Sequence, residues 1–415
     1  MSLIPASVVI VSRHRPDALR LCLLAVARLS YPLFEVIVVA DPAGIETLAD
    51  LPFADRIKTV TFDAANISAA RNRGIARAAG EVIAFLDDDA RPETRWLDHL
   101  VAAFADPAVA AAGGYVRGRN GISFQWKARV VDCTGQARNV TLNQHVPTVL
   151  TPPPGMAVKT EGTNMAVRRD VLVRLGGFDP AYRFYLDETD LNMRLAQAGH
   201  ATAIVPQAQV HHGFAPSPLR RADRSLRDLY QIAASTMVYL RKFCPGSRRE
   251  VALQAAWAEQ EQRMLAQLVT GQQEPRDIRR LTRSWAEGLE DGRMRDLGDP
   301  LPLFQAEDPF LAFPGQAIGD PVVIKGYVTQ ATRLRATAAK AAAAGKPVSL
   351  FLFSRSTLFH HLRFSPDGYW EQTGGLWGRS TRDQPLFRPW TLDKRVQHEM
   401  SRIGPARFDR ATGLD

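Results

Sequence analysis

Through its first half the chain alternates short β-branched runs with stretches of helical spacing, and that rhythm leaves few architectures open. Ala6–Val11, Phe34–Val39, Ile57–Phe62 and Glu81–Leu86 read as buried strands. Between them, Asp17–Ala27 is a helix opened by Pro16, and Ile67–Ala79 is a helix closed by Gly80. Parallel neighbours need a crossover, and both faces of their sheet must be covered. Strand, helix, strand in this order therefore predicts an α/β fold with a mostly parallel sheet flanked by helices. Ligands of such sheets collect outside the carboxyl ends of the strands. That places Ser12 and Arg13, then Asp41, then Asp87-Asp88-Asp89 where chemistry is expected.

The remaining chain is long enough for more than one core. At 415 residues with 46% apolar and 23% charged side chains, it belongs with folded globular proteins and suggests two to three domains. No apolar run approaches the roughly 18–20 residues that span a bilayer. Met1–Arg15 ends in Arg13-His14-Arg15 without a small-residue cleavage site, so it reads as a first strand and not as a signal peptide. Cys22, Cys133 and Cys244 are few and far apart, which points to a reducing compartment and a cytoplasmic location. The net charge of +9 suits nucleic acid, an anionic membrane face or phosphorylated small molecules, and does not choose among them.

Four segments are expected: an α/β domain over 1–217, a basic helical extension over 218–299, a linker or extended packing segment over 300–319, and a small α+β module over 320–415. Within the first, 117–159 reads as loop-rich, 167–177 and 187–199 as helical, and Ala203–Val210 as a strand. In the second, Leu219–Phe243 and Arg249–Thr270 look helical. Arg220, Arg221, Arg224, Arg227, Arg241, Lys242, Arg248 and Arg249 there outnumber Asp223 and Asp228. Their excess suits a diphosphate, an anionic acceptor or the inner face of a membrane; a solvated helical face explains it equally. The last module offers a helix over Thr329–Ala344, a strand over Val348–Ser354, and a hairpin of Leu358–Phe364 and Tyr369–Thr373 turned by Ser365-Pro366-Asp367-Gly368. Its aromatic residues suit a small core better than a sugar platform. His360 and His361 should face opposite sides.

Three adjacent carboxylates at the end of a buried strand repel one another. A divalent cation with phosphate oxygens on its far side resolves the conflict, although an acidic cap on a following helix is an ordinary alternative. The surroundings add to this. Ala70-Arg71-Asn72-Arg73-Gly74, then Ala79-Gly80-Glu81, then Phe85-Leu86-Asp87-Asp88-Asp89 resembles the family 2 glycosyltransferases of the GT-A fold. The resemblance continues in Gly162-Thr163-Asn164, in Gly176-Gly177-Phe178-Asp179 and in Asp187-Glu188-Thr189-Asp190-Leu191, covering about residues 5–217 in the family's order.

The resemblance implies an enzyme that moves a sugar from a nucleoside diphosphate sugar to a saccharide or lipid-linked saccharide hydroxyl with inversion. Such enzymes often serve cell-surface polysaccharide or glycoconjugate synthesis. By position, Ser12, Arg13, Asp41, Arg71, Asn72, Asp87 and Asp88 fall on the nucleotide-sugar side. Gly162, Thr163, Asn164 and Asp190 fall on the acceptor side. Asp87 and Asp89 form the family's aspartate–any–aspartate pair, one near the ribose and one on the metal. Ala40-Asp41-Pro42-Ala43 departs from the family's usual Asp-Asp-Gly-Ser, which weakens the base contact. Glu188 aligns with the catalytic base, and the swapped order of Asp187-Glu188 keeps Asp187 as a rival. Histidines following the next strand often ligate the metal in the family, which brings in His211, the first choice, and His212. An imidazole suits Mn²⁺ better than Mg²⁺, so either ion is expected, with Mn²⁺ at least as effective. The motif and membrane spans of the family's processive synthases are missing from this sequence. No nucleic acid partner is expected. The rival readings are a sugar nucleotidyltransferase, which would want a Gly-rich loop where Ser12-Arg13-His14-Arg15-Pro16 stands, and a non-catalytic protein that binds polyanions through the basic helices.

Overall fold

The first strand, β1 (Ala6–Ser12), is buried along its length, and its carboxyl end opens into α1 (Pro16–Val26). The structure is a computed structural model that describes residues 3–213, 221, 223, 225–298, 303, 308–315 and 319–408. β2 (Phe34–Ala40) follows, then the short α2 (Pro42–Glu46), β3 (Ile57–Thr61), α3 (Ile67–Ile75) and β4 (Val82–Asp87). β1 pairs in parallel with β2 and β4, and β2 with β3, as the alternating pattern requires.

The chain then runs through β5 (Ala90–Pro92), α4 (Trp96–Ala102), β6 (Val109–Arg117) and β7 (Phe124–Trp126). Next come β8 (Arg129–Asp132), β9 (Ala137–Asn139), β10 (Thr148–Leu150), β11 (Met156–Lys159), β12 (Met165–Arg168), α5 (Arg169–Arg174), α6 (Asp187–Gln197) and β13 (Ala201–His212). The main sheet has the order β10-β13-β6-β12-β4-β1-β2-β3, with β5 on β13 and β7 on β6. Its longest pairings are parallel, while β12 runs antiparallel between β4 and β6. One apolar cluster packs the sheet under α1 and α4, and another packs it under α3, α5 and α6. The mostly parallel α/β sheet flanked by helices is as the sequence predicts.

One local expectation is corrected. Residues 165–168 form a strand and only Arg169–Arg174 a helix, because a short apolar run buried on both faces carries no period to tell the two apart. The 117–159 stretch is loop-rich as expected, with short strands set within it. It holds β7 to β11, and β11-β8-β9 make a separate three-stranded sheet. β6 also escapes the sequence pattern, since an Ala- and Gly-rich run, Ala110–Gly114, separates its two valines. Its Gly114 lets the chain pass so close to β13 that an added Cβ would meet Ala208 O at 1.9 Å.

α7 (Tyr230–Phe243), α8 (Gly246–Val269) and α9 (Pro275–Met294) form a helical layer in which α7 packs against the other two. The expected helix over 219–243 begins only at Tyr230, and Leu219, Arg220 and Arg224 lie outside the described residues. Three of the basic side chains are occupied within the fold. Arg241 donates to Gly292 O and Arg295 O, Arg249 to Cys244 O and Arg241 O, and Lys242 pairs with Asp179 and Asp190. Of the 300–319 segment, the described part packs: Phe313 lies against Phe34 and Phe53 at 5.3 and 5.2 Å. No helix among the described residues is long and apolar enough to cross a membrane.

The last module has β14 (Val322–Tyr327), α10 (Ala331–Ala343), β15 (Val348–Ser354), β16 (His361–Phe364), β17 (Trp370–Gly375) and α11 (Leu392–Arg407), with the sheet order β14-β15-β17-β16. The hairpin of β16 and β17 forms as its turn residues predict. His360 is buried and His361 exposed. Leu362, Phe364 and Trp370 of the module share a core with Ala25 of α1 and Ile122, which fastens it to the main sheet.

Candidate active site

At the carboxyl end of β4 the three aspartates take different directions. Asp88 turns inward: it accepts from Ser12 Oγ at 2.7 Å and pairs with Arg15 at 2.6 Å. Burial pushes its carboxyl up to about 7 against the pull of Arg15. Asp87 and Asp89 face a cleft of about 1150 Å³ instead. His212, at the end of β13, faces the same cleft, because β13 runs antiparallel to β5 with His212 opposite Ala90. Asp87, Asp89 and His212 each offer one ligand atom, and these atoms lie within 4.8 Å of one another. His212 Nε2 is 3.4 Å from Asp89 Oδ1, and its Nδ1 is 3.2 Å from Gln125 Oε1. Two carboxylate oxygens and one imidazole nitrogen suit a divalent first-row ion, so these three side chains fit such a group.

His211, the first choice from the sequence, lies on the other face of β13. Alternation along a strand sends neighbouring side chains to opposite sides. Its Nε2 donates to Glu93 Oε1 at 2.7 Å, and burial lowers it to about 4, leaving it neutral at neutral pH.

Across the cleft, Arg71 of α3 joins the two acidic groups. Its Nη2 donates to Asp87 Oδ1 and to Gly162 O, each at 3.1 Å, and its Nη1 bonds Asp187. The guanidinium lies 5.0 Å from the centre of the Phe178 ring. Tyr185 (φ 70°) and Leu186 (φ 64°) are left-handed just before α6, a conformation that costs about 1–2 kcal/mol per residue outside glycine. That strain sits where Asp187 and Glu188 enter the cleft. Glu188 is held by Lys159 Nζ at 2.8 Å, which also donates to Thr189 Oγ1 at 2.8 Å. Burial raises the Asp187 carboxyl although Arg71 opposes it. Lys159 holds Glu188 below the usual carboxylate range against the opposing effect of burial. Glu188 keeps 17% of its side chain open and Asp187 4%.

Ser12, Arg13, Arg71, Asp87, Asp89, Gly162, Thr163, Asp187, Glu188 and His212 thus line one cleft, as the sequence expectations require of a site. The helical layer supplies its other wall, with Gln231, Gln260, Arg263 and Trp285. Five expected residues besides His211 lie outside this lining and are engaged within the fold. Asp88 buttresses β1. Asp41 accepts from His14 N at 2.9 Å and shapes the turn after β1. Asn72 clamps the Phe178 backbone through both its amide atoms, at 2.7 and 2.8 Å. Asn164 donates to Tyr115 O and Ala208 O and accepts from Trp96 Nε1, tying β6, β13 and α4 together. Asp190 is buried between Arg194 and Lys242, each at 2.7 Å. Asp88, Asn72 and Asn164 are turned away although the adjacent Asp87, Asp89, Arg71 and Thr163 line the cleft. Lys159 and Gln125 were missed. Both lie in the stretch read as loop, and only their strands bring them to the site.

Residues 7–172 match the family model described as Glycosyl transferase family 2. Among curated proteins, the O-antigen biosynthesis protein RfbC of Myxococcus xanthus is 30% identical over 52% of this chain and 18% of its own length. The pre-mycofactocin glycosyltransferase of Mycobacterium tuberculosis is 31% identical over 35% of this chain and 29% of its own. The N-acetylglucosaminyl-diphospho-decaprenol L-rhamnosyltransferase of the same species is 41% identical over 14% of this chain and 18% of its own. The chain thus spans less than a third of the length of each of these relatives. Among solved structures, GalNAc-T7 with UDP, GalNAc and Mn²⁺ matches with a TM-score of 0.43 at 18% identity, covering 58% of this chain and 48% of that one. The mannosyltransferase PcManGT from Pyrobaculum calidifontis with GDP-Man and Mn²⁺ matches with a TM-score of 0.41 at 15% identity, covering 72% and 88%.

Proposed function

We propose that this chain, whose residues 7–172 carry the family 2 glycosyltransferase pattern, moves a sugar from a nucleoside diphosphate sugar to the hydroxyl of a saccharide or lipid-linked saccharide. The observation that carries this reading is the pair of acidic groups that line one cleft, Asp87, Asp89 and His212 in one and Asp187 and Glu188 in the other, bridged by Arg71. Synthesis of a cell-surface polysaccharide or glycoconjugate is the setting this reaction class fits.

Asp87, Asp89 and His212 would hold a divalent cation, Mn²⁺ better than Mg²⁺, which supplies positive charge to offset the departing diphosphate. Arg13 and Arg71 line the same cleft and add fixed positive charge there. Glu188 is the base: Lys159 keeps it ionised, and it is more open to the cleft than Asp187. It accepts the proton of the acceptor hydroxyl as that oxygen attacks the anomeric carbon. The bond from that carbon to the diphosphate oxygen breaks in the same displacement, so configuration inverts. Asp187 is engaged by Arg71 and orients it.

The test is a screen of nucleoside diphosphate sugars for slow hydrolysis in the presence of Mn²⁺. Release of the nucleoside diphosphate from at least one donor, lost on chelation, is the expected result. Folded protein that turns over none of them, and that binds no nucleoside diphosphate with Mn²⁺, overturns the reading.

A further inference from the structure

The C-terminal module grips the segment after β5 and the end of β13, which adjoin Asp89 and His212. Arg407, near the end of α11 and 1% exposed, clamps Glu93 with two contacts of 2.7 Å. Glu93 follows β5, whose start adjoins Asp89. Its Oε1 in turn accepts from His211 Nε2 at 2.7 Å, and His211 precedes His212 on β13. The same helix end accepts from Arg95 N through Ala406 O at 3.2 Å and contacts His99 Nε2 through Pro405 O at 2.8 Å. From the module's sheet, Trp370 packs on the His211 ring at 4.2 Å, and Ser349 Oγ accepts from Arg407 Nη1 at 2.7 Å. The ladder of β13 with β6 ends at His211 opposite Arg117, so within the sheet His212 is paired only with Ala90 of β5.

We propose that Arg407 is a positioning residue for the cation site: through Glu93 and His211 it holds the end of β13 in the orientation that presents His212 beside Asp87 and Asp89. The inference rests on the cation reading above and gives a role to a module outside the family match. Neighbouring residues of a strand face opposite sides. His211 and His212 are adjacent, so the anchor that fixes one on the module side fixes the other on the cleft side. The module therefore acts without touching the cleft.

The experiment titrates Mn²⁺ alone into the full chain. Free Mn²⁺ is read by electron paramagnetic resonance, and the ¹⁴N coupling of a ligated imidazole by its pulsed form. Wild type should bind one ion with that coupling, and His212→Ala should lose the coupling. Arg407→Ala should bind about tenfold more weakly, the low end for losing an outer-shell partner, with the coupling reduced or gone. Glu93→Gln combined with Arg407→Met removes both charges but leaves an amide oxygen for His211, and should restore the coupling. His211→Leu keeps the Glu93–Arg407 pair and should lose affinity and coupling as Arg407→Ala does. It decides the matter if Arg407→Ala does not fold. Wild-type affinity and coupling in folded Arg407→Ala, or in His211→Leu, overturns the positioning role while leaving the cation site standing. Wild type that takes up no Mn²⁺ overturns the cation reading and this inference together.

Discussion

Arg71 and Asp187 stand 116 positions apart in the chain and meet as a buried ion pair between α3 and the first turn of α6. The same guanidinium donates to Asp87 at the end of β4. One cation therefore bridges the two acidic groups of the cleft. It also separates the roles of two adjacent carboxylates, because Asp187 is committed to Arg71 while Glu188 answers to Lys159.

Glu188→Gln is expected to lower turnover by about 10²–10⁴-fold, the usual contribution of a general base, with donor affinity nearly unchanged. Asp187→Asn weakens one arm of a buried pair, and such losses cost up to about 3–5 kcal/mol. It should appear chiefly as a lower melting temperature and a raised donor KM. Steady-state kinetics with thermal unfolding of both variants separates the two. Turnover lost only in Asp187→Asn, at full stability, transfers the base role to Asp187.

Asp89→Ala should abolish Mn²⁺-dependent donor turnover while the circular dichroism spectrum stays that of the wild type. Full activity in that variant would refute the metal assignment.

Gly162→Ala probes Arg71 without altering a charge. An added Cβ would stand 2.5 Å from Arg71 Nη2 and 2.8 Å from Nη1. The obstruction is the end of a long side chain, so the fold can yield. The guanidinium then leaves Asp87 and Asp187. Donor turnover should drop by at least about tenfold, as small misplacements at a reacting centre do, and the melting temperature should fall as in Asp187→Asn, because the same buried pair is disturbed.

His360 links the last module to pH. Its imidazole lies between Gly375 O at 2.8 Å and Gln372 Nε2 at 2.9 Å. Burial, with Arg395 adding to it, lowers it from its ordinary value of 6.5 to about 4. The unfolded chain then binds a proton that the native one refuses. Stability is at its full value above about pH 6.5 and falls as pH drops towards 4, by up to about 1.4 kcal/mol per pH unit for one such proton. Denaturant unfolding across this window should show a shallower slope for His360→Gln. An unchanged slope means that the proton uptake lies elsewhere.

Much of the fold could be read from the order of residues alone. β1 to β4, α1 and α3 follow from period, Pro16 and Gly80, because strands buried on both faces and helices that cover them leave their spacing in the sequence. So does the position of the acidic cluster, since a sheet of this kind exposes its chemistry where its strands end. β6 and β12 were not legible. One is built mostly of alanine and glycine and the other is four residues long, and both are strands only because flanking strands hold them.

The cleft divides the same way. Which residue types gather there was written in Ala70–Gly74, Asp87–Asp89 and Asp187–Glu188. Their directions were settled by contacts far away in the chain. Asp88 turns in because Ser12 and Arg15 receive it, and His212 rather than His211 faces the cleft because Glu93 takes the other imidazole. Glu188 stays charged because β11 delivers Lys159. A sequence carries its local periods in every window, whereas the facing of one side chain depends on pairing between segments that meet only when the chain has folded.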